Sequence, residues 1–234
     1  MGVALDKKLG QNNNELQMNN EFQVQDLCGE RIKEIYNQAP EVAELHGALT
    51  SPRGHFFRME LLRELGRGLS EGELERRREK SGLAEYIRHL HKLTRFRLVE
   101  EDRLREESFY YLRTELGEKA INALREMERR IGEEGALRIY RANLGVNSIR
   151  LFLMAYGDNK EEDMVHREKR FAPSAIGRLC MFLPRTIEGI SSSDKLNEAG
   201  LLVYNDTEKV VCLNSIQSRA FYQYLVVLYE ILND

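Results

Sequence analysis

The chain has 234 residues, 42% hydrophobic and 31% charged, with a formal net charge of −3. That length suits one large or two small domains with a buried core. The slightly acidic balance excludes a uniformly basic, histone-like binder but not a local basic face. No apolar run approaches the ~18 residues of a membrane span, and the first twenty residues lack the apolar block of a secretory signal. A cytoplasmic protein is expected. Cys28, Cys180 and Cys212 are widely spaced with no CxxC, which suits reduced core thiols better than a disulfide frame or a zinc knuckle.

Residues 1–20 are polar and rich in Asn and Gln, and a disordered arm is expected there. Residues 21–48 carry Phe22, Val24, Leu27, Ile32, Ile35, Val42 and Leu45 at helical spacing. They suit one or two helices, and Pro40 divides the stretch, since proline is tolerated at a helix start and not inside.

Ser51-Pro52 is a helix entry: a capping hydroxyl, then proline at the first helical position. Phe56, Met59, Leu62 and Leu65 give that helix an apolar stripe ending near Gly66 or Gly68. Ser70 and Glu73 form a capping-box pattern for a second short helix over about 70–79. Leu83, Ile87, Leu90 and Leu93 open a third, whose other face carries Glu85, Arg88, His91, Lys92 and Arg95. Two extended arms follow, Arg97 to Glu101 and Phe109 to Arg113, with DRLREES between them. Thr114 caps the next helix, whose stripe of Ile121, Leu124, Met127 and Ile131 runs to Gly132. The order is helix, helix, helix, hairpin, helix, and a charged hairpin after the third helix reads as a wing.

LTSPRGHFFRMELLRELGRGLSEGEL, then IRHLHKL, RLVEE and FYYLRTELGEKAI, resemble a winged helix-turn-helix regulator of the ArsR and MarR type over about residues 49–125. The resemblance implies a DNA-binding domain at 49–132 whose Leu83–Arg95 helix lies in the major groove. It implies a scaffold role for His89 and wing-tip contacts from Arg103 and Arg105. The chain departs from the pattern at AEYI (Ala84 to Ile87), where the family carries small polar reading residues. It departs again at Arg97, where the family ends the helix on glycine.

Between positions 76 and 97 only Glu79 and Glu85 interrupt a cluster of Arg76, Arg77, Arg78, Lys80, Arg88, His91, Lys92, Arg95 and Arg97. Phosphate binding needs such a local excess, because each neutralised phosphate releases condensed counterions. Arg76, Arg77, Lys80, Arg88, Lys92, Arg103 and Arg105 are the expected phosphate contacts. Ser81, Glu85, Arg88 and His91 are the expected groove contacts. The alternative is a solvated helix face with local ion pairs.

No GxSxG, P-loop, HExxH or GxGxxG occurs, and neither an enzyme nor a cofactor is expected. His89 and His91, two apart on a helix, point in different directions and cannot readily share a metal.

Residues 135–234 form the expected C-terminal domain. ALRIYRANLGVNSIRLFLMAY reads as a helix and then an apolar run, extended or helical. PSAIGRLCMFLPRTIEGI reads as a helix kinked or ended at Pro184, and SSSDKLNEAG as a short capped helix. LLVYNDTEKVVCL is a hairpin around Asn205-Asp206, and SIQSRAFYQYLVVLYEIL a buried closing helix. The order is again close to a winged unit, without a basic reading helix. Dimerisation, effector sensing or partner binding is expected of it, with Tyr204, Phe221, Tyr222 and Tyr224 either core or pocket lining. The fold class expected is mostly α with small β hairpins (α+β): a winged helix-turn-helix domain plus a second mixed α/β, degenerate winged-helix domain. The expected partners are double-stranded DNA, a second copy in a homodimer, and a small-molecule effector or protein at the C-terminal domain. The rival reading is a winged-helix protein–protein adaptor.

Overall fold

The computed structural model describes residues 29–50, 61–67, 69–70, 72–73, 76, 83–105, 108–157, 170–171, 192–205 and 210–234. The elements in chain order are α1 (Glu30–Asn37), α2 (Ala39–Thr50), a 3-10 turn (Leu65–Arg67), β1 (Leu69–Ser70), α3 (Leu83–Arg95), β2 (Val99–Arg105), β3 (Ser108–Arg113), α4 (Glu115–Ala142), α5 (Val146–Gly157), β4 (Arg170–Phe171), α6 (Ser192–Glu198), β5 (Leu202–Asn205), β6 (Val210–Leu213) and α7 (Ser215–Asn233). Among the described residues the chain is mostly helical with two small antiparallel sheets. This is the α+β class that the sequence predicts.

The first sheet has strand order β1-β3-β2 and the second β4-β6-β5. In the first hairpin Val99 faces Arg113 and Asp102 faces Tyr110, with a bulge between Arg103 and Arg105. In the second, Leu202 faces Leu213 and Asn205 faces Val210. Each hairpin delivers the chain into a capped helix. The Thr114 hydroxyl accepts the Gly117 N–H at 3.1 Å, and the Asn214 side-chain oxygen accepts the Gln217 N–H at 3.3 Å, each satisfying one orphan donor of the first turn.

Four local outcomes differ from the pattern in the sequence or resolve it. Ser70 is paired opposite Tyr110 in β1, a strand the sequence does not announce, and helix follows at Gly72, Glu73 and Arg76; the Ser70 side chain lies outside the described residues. Gly132 breaks the regular helix where the sequence predicts. It takes φ 74 and ψ 163, and helix resumes on its far side to Ala142, since only glycine visits that geometry cheaply. The hairpin arms reach Arg105 and back from Ser108, longer than expected. The apolar run before Gly157 is helical throughout, and every residue from Asn147 to Gly157 except Arg150 is buried.

One core cluster runs through α1, α2, α4, α5, α6 and α7 and reaches Leu93, Leu98 and Val99. α5 packs against α1, α2 and α6, and α4 lies along α7. His46 is fully buried against this cluster. His46 makes edge-on contacts with Phe221 and Tyr224 at 6.0 and 5.7 Å between centroids. Its Nδ1 lies 3.3 Å from the Tyr224 hydroxyl and its Nε2 3.3 Å from Thr50 Oγ1. Thr50 donates its one proton to the His46 carbonyl at 2.8 Å. The set is therefore satisfied when Nε2–H donates to Thr50 and the Tyr224 hydroxyl donates to Nδ1. Burial pulls the His46 pKa down to about 4 and pushes the Tyr224 hydroxyl well above its usual range, so both stay neutral.

Candidate nucleic-acid interface

α3 is amphipathic at a period of 3.6, and the period decides which side chains meet solvent. His89, Leu90 and Leu93 are buried, at 2%, 5% and 0% exposure. Arg88, His91, Lys92 and Arg95 are exposed. Three- and four-residue steps place these four along one stripe. From Arg88 to Arg95 the stripe rises about 10 Å, at ~1.5 Å per residue.

The C-terminal end of α3 is fixed by a Schellman motif. The Leu98 N–H donates to the Leu93 carbonyl at 3.0 Å and the Arg97 N–H to the Thr94 carbonyl at 2.8 Å. Arg97 sits at the left-handed position between them, φ 56. Leu98 and Leu93 are both fully buried, which supplies the apolar contact that usually accompanies this motif. The hairpin therefore leaves α3 in a set direction, and the cationic stripe and β2–β3 are parts of one rigid piece.

Two residues tie that piece to the rest. The Leu98 carbonyl accepts the Thr114 N–H at 3.1 Å, closing the base of the hairpin onto the start of α4. Arg113 donates to the Leu62 carbonyl at 2.9 Å and forms an ion pair with Glu118. Its side chain is only 16% exposed, so it joins the helical residues 61–64, β3 and α4 and does not reach outward.

Arg95 does not stand free. It makes a two-pronged ion pair with Glu44 of α2, at 2.5 and 3.2 Å. Both partners are solvated, so the pair adds little stability, but it takes one positive charge from the end of the stripe. Arg95 and Glu44 are 51 residues apart, a partnership that no local spacing announces.

Of the expected contact residues, Arg88, His91 and Lys92 are brought onto one exposed face. Arg76 is exposed, and its Nε donates to the Gly72 carbonyl at 3.3 Å. Glu85 lies on α3, and Arg103 and Arg105 lie at the far end of β2, opposite Phe109 and Ser108. The side chains of these three lie outside the described residues, as do Arg77, Lys80 and Ser81 entirely. Arg95, counted in the basic cluster, and Arg113, placed in a hairpin arm, are not among the expected contacts. Only the contacts of the fold assign them one.

Among the described residues no group of three His, Cys, Asp or Glu is placed to hold a metal ion, and no helix is long and apolar enough to cross a membrane. Of the aromatics considered as pocket lining, Phe221 is fully buried and packs on Phe152 at 5.0 Å, and Tyr222 stacks on Tyr156 at 4.5 Å. Tyr224 hydrogen-bonds with His46, and the Tyr204 side chain lies outside the described residues. Cys212 is a buried free thiol.

Compared with known proteins, the chain matches no family model, no curated protein and no solved structure.

Proposed function

We propose that the chain is a DNA-binding transcriptional regulator of the winged helix-turn-helix kind. It would contact duplex DNA through the exposed face of α3, with β2–β3 as the wing. The observation that carries the reading is the Arg88, His91 and Lys92 stripe on a helix rigidly continuous with a hairpin, in a chain of net negative charge. A B-form major groove about 12 Å wide admits one helix, and exposed cations on that helix meet phosphates along its rims. The mechanism is equilibrium binding without covalent chemistry. Phosphate contacts from Arg88 and Lys92 supply affinity, joined by Arg76, Arg77, Lys80, Arg103 and Arg105. Ser81, Glu85, Arg88 and His91 supply base contacts.

The test is fluorescence anisotropy with a labelled duplex of random sequence at low salt. Binding that weakens steeply as salt rises is the expected result. No binding at any salt would overturn the reading.

A second reading is favoured by two large apolar side chains that stand exposed among the described residues, Val203 at 45% and Ile216 at 66%. Both belong to the β5–β6–α7 portion, and a protein–protein adaptor would use such a surface. Retention of a protein partner by the intact chain, lost in Val203→Glu and Ile216→Glu, would support the adaptor over the DNA binder.

A further inference from the structure

The backbone around α3, β2–β3 and α4 recurs, bond for bond, around α6, β5–β6 and α7. In the second place the Leu201 N–H donates to the Leu196 carbonyl at 2.9 Å and the Gly200 N–H to the Asn197 carbonyl at 2.9 Å. Gly200 takes the left-handed position, φ 71, that Arg97 holds in the first. The Leu201 carbonyl accepts the Asn214 N–H at 3.1 Å, as Leu98 accepts Thr114, also at 3.1 Å. Asn214 then caps α7 as Thr114 caps α4. Each hairpin takes its third strand on the same side, β1 beside β3 and β4 beside β6. Even the side chains echo: Lys92-Leu93 and Leu98 answer to Lys195-Leu196 and Leu201.

The two capped helices lie against each other in opposite directions. Lys119 near the start of α4 is hydrogen-bonded to Asp234 at the end of the chain, and Arg130 meets Gln223 further along. Under the equivalence of caps, Ala120, Ile121 and Leu124 correspond to Ala220, Phe221 and Tyr224. All six are buried. Exchanging the units turns the Arg130 and Gln223 pair into Ala123 and Glu230. All four residues line one groove of ≈ 450 Å³ between the helices, together with the equivalent pair Met127 and Val227. Antiparallel packing of equivalent faces is the arrangement of an isologous, two-fold interface, here made within one chain.

We propose that the chain is a fused pseudo-dimer. Two equivalent helix–hairpin–helix units close on each other about a local two-fold near Met127 and Val227, so that one chain is the binding unit. The apolar stripe of α4 that a second copy would need is already covered by α7. Only the first unit places an exposed Arg88, His91 and Lys92 stripe on its helix. The corresponding helix α6, SSDKLNE, has Lys195 against Asp194 and Glu198. Resting on the DNA-binding reading, the ligand is a single, non-palindromic half-site of duplex taken up by one chain.

Light scattering and thermal melting of the full chain over a 100-fold concentration range test this, followed by titration onto a short duplex. The expected mass is that of one chain, 27.2 kDa. The melting temperature should hold within about 1 °C across the range, because no subunit equilibrium feeds into it. The complex should saturate at one chain per short duplex. A two-chain mass, or a melting temperature that climbs by several degrees with concentration, overturns the pseudo-dimer. Saturation at two chains on a site too short for two independent binders does the same. A one-chain mass with no duplex binding upholds the pseudo-dimer and removes the DNA reading instead.

Discussion

Arg97 and Gly200 hold the same backbone position in two equivalent helix exits, at φ 56 and 71. One is the residue that suits a left-handed cap and the other is not. A side chain there costs roughly 1–2 kcal/mol relative to its preferred conformations, while glycine takes the position with little strain. Arg97→Gly should therefore raise stability by about 0.5–1 kcal/mol, the lost strain being offset in part by the greater freedom of glycine in the unfolded chain. Gly200→Ala should lower it by about 1–3 kcal/mol, because the new Cβ would also stand 2.7 Å from Gln217 Oε1. Urea unfolding of both variants checks the pair. A loss of stability in Arg97→Gly, or no loss in Gly200→Ala, would deny the shared motif.

Gly117 lies where α4 crosses the root of β2. A Cβ added there would stand 2.3 Å from the Leu98 carbonyl oxygen and 2.7 Å from Arg113 Cγ. The Leu98 carbonyl is also the acceptor that closes the hairpin onto Thr114, so it cannot retreat without opening that bond. Gly117→Ala should cost about 2–4 kcal/mol, from overpacking and a weakened hydrogen bond together. The loss should appear in the unfolding midpoint, and hydrogen exchange should quicken at the Thr114 amide. A variant as stable as the parent would contradict the close approach.

His46 makes stability depend on pH in a defined direction. The unfolded imidazole ionises near 6.5 and the folded one only near 4, so the unfolded chain takes up the proton first as pH falls. Stability contributed by the neutral, buried ring is complete above about 6.5. It is lost progressively down to about 4, at roughly 1.4 kcal/mol per pH unit within that window. Denaturant midpoints at pH 7 and 5 should differ accordingly, and His46→Gln should flatten the difference. A parent chain whose stability is level from pH 7 to 5 would contradict the burial of an unprotonated ring.

Glu44 holds Arg95 at the end of the cationic stripe. On the proposed reading Glu44→Gln releases that charge and removes a nearby carboxylate, and duplex affinity should rise about two- to fivefold at low salt, a gain that salt screens. Because the ion pair is solvated, stability should change by less than about 1 kcal/mol. Unchanged or reduced affinity would place the stripe away from the ligand.

Much of this fold was legible because helix period and cap chemistry are local. The α3 stripe, the Thr114 cap, both hairpins and the closing helix follow from residues within one or two turns of each other. Pro40 falls at the second residue of α2, just after the break at Gln38, and Gly200 marks a helix exit as glycine usually does. The parts that stayed hidden are those decided at a distance. β1 is two residues long and exists because β3 offers an edge, so no alternation reveals it. The cationic face was readable from spacing alone, while the claim of Glu44 on Arg95 and the interior role of Arg113 depend on chain segments about fifty residues away.

The salt dependence of duplex binding, compared between the parent chain and the Arg88→Ala, Lys92→Ala double variant, tests the central claim most directly. If the α3 face lies against phosphates, the slope of log affinity against log salt should become shallower by about two, roughly one per lost contact. A double variant that stays folded and binds with an unchanged slope and affinity would show that the α3 face is not the one that meets DNA.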